Sequence, residues 1–137
     1  MRPGYSRVMA YHAITPDDLS WEERDRAADE APRWHAPVTD ALNLAQSRAR
    51  MWRYSPGARG RRHKDLVQEE VFVVLEGVMT AYLGEPPERV ELPAGSVLAV
   101  EPATALQLRN EGDADARLFA YGAPPEQGGA EFLPDID

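Results

Sequence analysis

The 137-residue sequence contains no cysteine. Disulfide bonds, cysteine-based zinc sites and thiol catalysis are therefore excluded. The sequence also lacks any apolar run close to the roughly 20 residues that cross a bilayer, and nothing after Met1 resembles a signal peptide. From these absences we expect a cytoplasmic protein.

Lysine is almost absent as well. Of the 15 basic residues only Lys64 is a lysine, and the remainder are arginines. The 23 acidic residues give a net charge of −8, which disfavours binding to nucleic acid or an anionic membrane because phosphate groups require clustered positive charge. Arginine is better suited than lysine to fixed bidentate contacts with carboxylates.

A chain of this length predicts one domain, and its first forty residues differ from the rest. Residues 1–40 are polar and proline-containing, and we interpret them as an N-terminal arm. Thr15 followed by Pro16, Asp17 and Asp18 is typical of a helix N-terminus, which predicts a short helix to about Arg24. Residues 27–37 are predicted to form a loop.

From Leu42 onwards the pattern changes to short strands separated by turns. Seven or eight such segments with a turn every 8–12 residues predict an all-β sandwich or barrel over residues 41–124. The acidic residues 125–137 are expected to form a tail that lies on the surface or frays. The predicted strands are 42–54, 70–75, 78–83, 89–92, 96–100, 105–109 and 117–121.

Two motifs on these strands resemble those of the cupin superfamily. The first runs from Gly57 through His63 and Glu70 to Gly77, and the second from Pro93-Ala94-Gly95 to Asn110. The resemblance covers just over half of the chain. It implies a small single-domain cupin with a jelly-roll barrel, and it implies a homodimer because such proteins commonly bury their sheet edges against a second copy.

The sequence departs from the cupin pattern where that family holds its metal. The resemblance places His63 and Glu70 at two ligand positions, but Asp65 stands where a second histidine is usual and Leu106 where the last histidine is usual. One imidazole and two carboxylates are ligands that suit Mn²⁺, Fe²⁺ or Mg²⁺. Either these three residues hold a weakly bound divalent metal, or they line a pocket without one.

A second group of candidates lies on the segment that ends at Tyr54. Arg48, Arg50, Trp52 and Tyr54 share one face, which suits the binding of an anionic or aromatic molecule by guanidinium hydrogen bonds and ring stacking. The alternative is a salt-bridged outer surface or a dimer-facing surface. Three further residues are candidates for the pocket lining, although the alternation does not say which parity faces inward: Phe72, Tyr82 and Gln107.

The other ionisable residues near the motifs and in the arm are not expected to be ligands. Glu69 has the opposite parity to Glu70 and is expected at the rim. His12 and His35 lie in polar, proline-rich sequence and are expected at the surface or between elements. No nucleophile–base arrangement or phosphate-binding glycine loop is present.

Three functions remain open. The first is a binding module that holds a small polar or anionic molecule without a competent four-ligand metal site. The second is a metal-dependent enzyme, similar to a dioxygenase or an isomerase, with His63, Asp65 and Glu70 as ligands. The third is a barrel that serves only for oligomerisation. The loss of the fourth ligand to Leu106 favours the binding module.

Overall fold

The computed structural model describes residues 10–125 and 128–136, and these residues form two antiparallel β-sheets packed face to face. A single 3₁₀ turn, Pro16–Asp18, precedes them. The strands β1 to β11 are, in order, Glu22–Glu23, Arg33–Pro37, Arg48–Tyr54, His63–Asp65, Glu69–Glu76, Val78–Leu83, Glu88–Pro93, Val97–Val100, Leu106–Arg109, Ala116–Ala123 and Ala130–Phe132.

One sheet has six strands in the order β1-β2-β3-β10-β5-β8, and the other has five in the order β11-β4-β9-β6-β7. Strands β1, β2 and β3 are consecutive neighbours in the first sheet, as β6 and β7 are in the second. The other neighbours are far apart in the sequence, as the pairing of β3 with β10 shows, because most of the chain from β3 to β11 crosses between the sheets from one strand to the next. The predicted all-β jelly-roll barrel is confirmed.

The arm and the tail both contribute more strand than the sequence predicted. The helix prediction was correct at its start, where the Asp18 carboxylate accepts a hydrogen bond from the Thr15 amide at 2.7 Å, but the turn ends at Asp18 and not near Arg24. The prediction of a loop was correct for residues 27–32 but wrong for residues 33–37, because β2 pairs with β3 along its whole length. The tail adds β11 to the edge of β4.

Apolar side chains between the sheets make up the core at one end of the barrel. Met79, Leu106 and Leu118 are almost completely buried, and Val74 and Leu92 pack in the same cluster. The other end of the barrel lacks this filling and contains a cavity. In the part of the chain that the structure describes, no helix has the length and apolar character needed to cross a bilayer.

Candidate functional site: a cavity with an arginine-rich wall

The cavity is created by the size of the inward-facing residues on β10. Along this strand Leu118, Ala120 and Gly122 successively oppose Trp52, Arg50 and Arg48 of β3. The inward side chains therefore shrink towards the open end of the barrel, which leaves a cavity of about 590 Å³. This volume is in the range of typical small-molecule sites. Its apolar lining includes Phe72, Leu106 and Leu108.

Strand alternation directs one face of β3 into this cavity. Arg48, Arg50, Trp52 and Tyr54 all line it, as the sequence predicted, because side chains two residues apart point to the same side of a strand. The opposite face carries Arg53, whose guanidinium lies 4.5 Å from the centre of the Trp34 ring on the outside of the sheet.

The arm supplies two further guanidinium groups that sequence reasoning did not place at the site. Arg24 follows β1 and Arg33 begins β2, and both line the cavity beside Arg48 and Arg50. The ion pairs within residues 10–125 and 128–136 involve other arginines. These four guanidinium groups therefore share one wall of the cavity, and none of them forms an ion pair with a carboxylate of the described residues. Arg61 lines the cavity as a fifth arginine.

The electrostatics of Arg50 reflect this crowding. Burial lowers the pKa of Arg50 from its ordinary value, and the positive charges of Arg24 and Arg48 lower it further. Each of these effects disfavours the charged form of Arg50. An anion in the cavity would relieve both, because it would replace the lost water and balance the like charges.

Trp52 holds this cationic wall in place. The Arg33 guanidinium lies 4.8 Å from the centre of the Trp52 ring and the Arg50 guanidinium 5.5 Å from it, distances at which a cation is attracted to an aromatic ring. The His35 ring is also 5.5 Å away. Trp52 therefore contacts two of the cavity arginines and His35, a set of contacts within the protein that the sequence did not predict.

His35 belongs to the cavity wall and not to the outer surface. Its Nε2 atom lies 3.4 Å from a Glu22 carboxylate oxygen and 3.5 Å from an Arg24 nitrogen. Burial, reinforced by the charges of Arg24 and Arg50, lowers the pKa of His35. This position could not be predicted from the sequence, because the prolines around His35 indicated a loop where strand β2 forms. His12, by contrast, is exposed as expected.

A different set of polar groups occupies the wall formed by β4 and β5. His63 and Glu70 both line the cavity, with 3.6 Å between His63 Nε2 and a Glu70 carboxylate oxygen. The His63 Nδ1 atom is 3.0 Å from the Arg61 carbonyl oxygen. The contact with Glu70 raises the pKa of His63 despite its partial burial. Glu69 points away and is exposed.

The donors on this wall do not fit the four-ligand metal centre that the cupin resemblance implies. Asp65 lines the cavity, but its Oδ1 atom accepts hydrogen bonds from the Val67 and Gln68 amides at 2.9 and 2.7 Å. Leu106 lies directly opposite His63 on β9 and is buried. Among the described residues no three His, Asp or Glu side chains are grouped closely enough to hold an ion.

Two of the predicted pocket residues lie outside this cavity. Leu106 and Leu108 point inward from β9, so Gln107 between them faces the outer side of the five-stranded sheet, where Tyr82 opposes it. Gln107 donates to the Gly60 carbonyl oxygen at 2.9 Å and contacts Asp135 of the tail. Tyr82 donates to Glu111. Phe72, the third of these candidates, does line the cavity.

Comparisons with known proteins agree with this architecture. A family model described as a cupin domain matches residues 50–121, which is slightly more than half of the chain. The chain belongs to the cupin family. Within it, the match covers the strands that carry Arg50, His63, Glu70 and Leu106.

Solved structures of other proteins share the fold at low sequence identity. A sugar phosphate isomerase from a cupin superfamily of Silicibacter pomeroyi is 19% identical, with a TM-score of 0.71 over 88% of this chain and 91% of that one. The polyketide cyclase RemF of Streptomyces resistomycificus is 18% identical, with a TM-score of 0.74 over 91% and 87%.

A third similar structure is a predicted oxalate decarboxylase of Thermotoga maritima, which is 16% identical with a TM-score of 0.70 over 81% of this chain and 97% of that one. A search of curated proteins found no relative. At these identities the structural likeness establishes the fold of this cupin and leaves its function to be argued from the cavity.

Proposed function

We propose that this cupin binds a small anionic organic molecule in the barrel cavity, without a competent four-ligand metal centre. The observation that carries the proposal is the set of four guanidinium groups on one wall of the cavity, in a protein whose net charge is −8. Buried or partly buried charges are normally paired. Asp40, Asp65 and Glu70 also line the cavity, but the arginines outnumber them, so the cavity keeps an excess of positive charge that a ligand can neutralise.

Arg33 and Arg50 are the best placed of the four to hold the anion. Their contacts with Trp52 fix both guanidinium groups before a ligand arrives, which lowers the entropy lost on binding. Arg24 and Arg48 add further positive charge to the same wall. Hydrogen bonds between charged partners contribute about 1.5–3 kcal/mol each, so one such contact accounts for a tenfold or larger change in affinity.

Calorimetric titration of the protein with inorganic phosphate and with citrate tests the proposal. We expect saturable binding of at least one of these anions, and at least tenfold weaker binding by Arg50→Gln. Arg117→Gln is the matched control, because it removes the same charge from the outer face of the same sheet, where Arg117 lies 3.8 Å from Glu76. Absence of binding by both anions, or equal losses in the two variants, would contradict the proposal.

The alternative function is a divalent-metal-dependent enzyme, and the facing pair of His63 and Glu70 is the observation that favours it. Asp65 would be the third ligand. Leu106 and the backbone hydrogen bonds of Asp65 count against it. Metal analysis of untagged protein purified without chelators distinguishes the two functions, since the alternative requires about one Mn, Fe or Mg ion per chain.

We further propose that the protein is a homodimer. The outer face of the six-stranded sheet exposes large apolar side chains, with Val97 66%, Leu75 47% and Tyr121 40% accessible. Such patches are typical of association surfaces, and a second copy would cover them. Light scattering at micromolar concentration should give twice the chain mass, and a monomer with dilution-independent thermal stability would contradict the dimer.

A further inference from the structure

The cavity has two chemically different walls. Because they lie apart, they indicate which chemical groups the two ends of the ligand carry. In one row across the sheet Arg48 on β3, Gly122 on β10 and Glu70 on β5 lie side by side. Adjacent strands are about 4.8 Å apart, so the backbones that carry Arg48 and Glu70 are roughly 10 Å apart. Gly122 has no side chain to fill the space between them.

The wall around Glu70 presents hydrogen-bond acceptors. The Glu70 carboxylate contacts only His63 among the described residues. Gln68 uses its amide nitrogen to donate to the Pro124 carbonyl oxygen at 2.9 Å, which leaves its own carbonyl oxygen beside Gly122. Asp65 uses Oδ1 for two backbone amides and keeps Oδ2. These acceptors repel the anionic end of a ligand and require hydrogen-bond donors from it.

Neutral donors suit this wall better than a cationic group. Arg61 and His63 line the cavity together with Glu70, and burial lowers the pKa of Arg50, a shift that the negative charge of Glu70 opposes. An ammonium group placed against Glu70 would be repelled by these cations. Hydroxyl groups donate hydrogen bonds without that repulsion.

We propose that the ligand is a hydroxylated organic anion, whose phosphate or carboxylate group contacts Arg33 and Arg50 and whose hydroxyl groups donate to Glu70 and Gln68. This inference rests on the proposed anion binding and adds the chemistry of the other end of the molecule. The acceptors then discriminate among anions, because an anion without hydroxyl groups would displace water from them without offering a hydrogen bond in return.

The experiment compares matched pairs of anions by calorimetry on the intact protein. Ribose 5-phosphate is compared with pentyl phosphate, and gluconate with hexanoate; the two pairs distinguish a phosphate from a carboxylate head group. We expect the hydroxylated member of at least one pair to bind at least tenfold more tightly. Glu70→Gln should reduce that ratio to about threefold or less, since it removes the charged acceptor.

Glu69→Gln provides the matched control, because it makes the same change on the neighbouring residue that is exposed on β5. This variant should keep the wild-type ratio. The inference would be overturned if the wild type bound both members of each pair equally well, or if Glu70→Gln left the affinity ratio within the pairs unchanged. Neither result would contradict anion binding itself. Failure of all four compounds and of inorganic phosphate to bind would overturn anion binding as well. The wild-type comparison decides the question by itself should Glu70→Gln not fold.

Discussion

Trp52 determines how the cavity residues work together. Its ring lies against Arg33, Arg50 and His35, so four side chains from two neighbouring strands form one contact network. Without the ring, the two guanidinium groups would repel each other and explore more rotamers. Trp52 therefore acts as a positioning residue for the proposed anion site.

Replacing Trp52 by leucine should weaken anion binding about fivefold, because each lost cation–π contact is worth about 0.5–1 kcal/mol or more when desolvated. Trp34→Leu is the matched control, since Trp34 makes the same kind of contact with Arg53 outside the cavity. Titration of both variants with the best-binding anion measures the effect. Equal affinities for the two variants would contradict the role of Trp52.

The two cavity histidines should give opposite pH dependences of stability. The lowered pKa of His35 means that the unfolded chain binds more protons than the folded one below the ordinary value of 6.5, so stability falls as the pH decreases. The raised pKa of His63 means that its stabilisation is complete below 6.5 and is lost as the pH rises through the folded-state pKa.

Urea unfolding between pH 5 and 8.5 of the wild type and of two variants checks these signs. His35→Gln should lose less stability than the wild type on the acid side, and His63→Gln should lose less on the alkaline side. Parallel pH profiles for all three proteins would show that neither histidine titrates differently in the folded and unfolded states.

At the level of the strands, the sequence predicted those features that depend on side-chain alternation and on turn residues. The face of β3 with Arg48 to Tyr54 was predictable because a side-chain period of two is read directly from the sequence. Strand β2 was not, since Pro32 and Pro37 suggest a loop and only pairing with β3 makes the segment extended. The inward parity of β9 also required the structure, because Leu106, Gln107 and Leu108 are all buried.

The register between β4 and β9 makes one prediction about metal binding. Leu106 opposes His63, so Leu106→His adds an imidazole beside His63 and Glu70 and should raise the affinity for Mn²⁺ or Fe²⁺ more than tenfold. Leu108→His is the control, because it introduces the same group on the same face one residue pair further along β9. We expect a chelator to leave the melting temperature of the wild type unchanged.

Titration with the metal, and melting with and without chelator, measure both effects. A folded-state ion stabilises a protein by mass action, so a chelator-sensitive wild type would support the metal-dependent alternative. Unchanged metal affinity of Leu106→His, or an equal gain in Leu108→His, would contradict the assigned geometry of the former ligand positions.

For the molecule as a whole, the distribution of charge is the central feature. The chain carries eight more acidic than basic residues, yet the cavity collects arginines from β2, β3 and the residue that follows β1 on a single wall. The fold achieves this by adding the arm to the sheet next to β3, so that Arg24 and Arg33 reach the positions beside Arg48 and Arg50. The barrel thereby encloses a positive cavity in a negative protein.

A crystal structure of the protein grown with selenate tests this account most directly, because selenium locates the anion without ambiguity in an anomalous difference map. If the arginine wall binds anions, a selenium peak should lie inside the barrel cavity, within hydrogen-bond distance of the guanidinium groups of Arg33 and Arg50. Selenate bound only on the outer surface, with none in the cavity, would show that the arginines do not form an anion site.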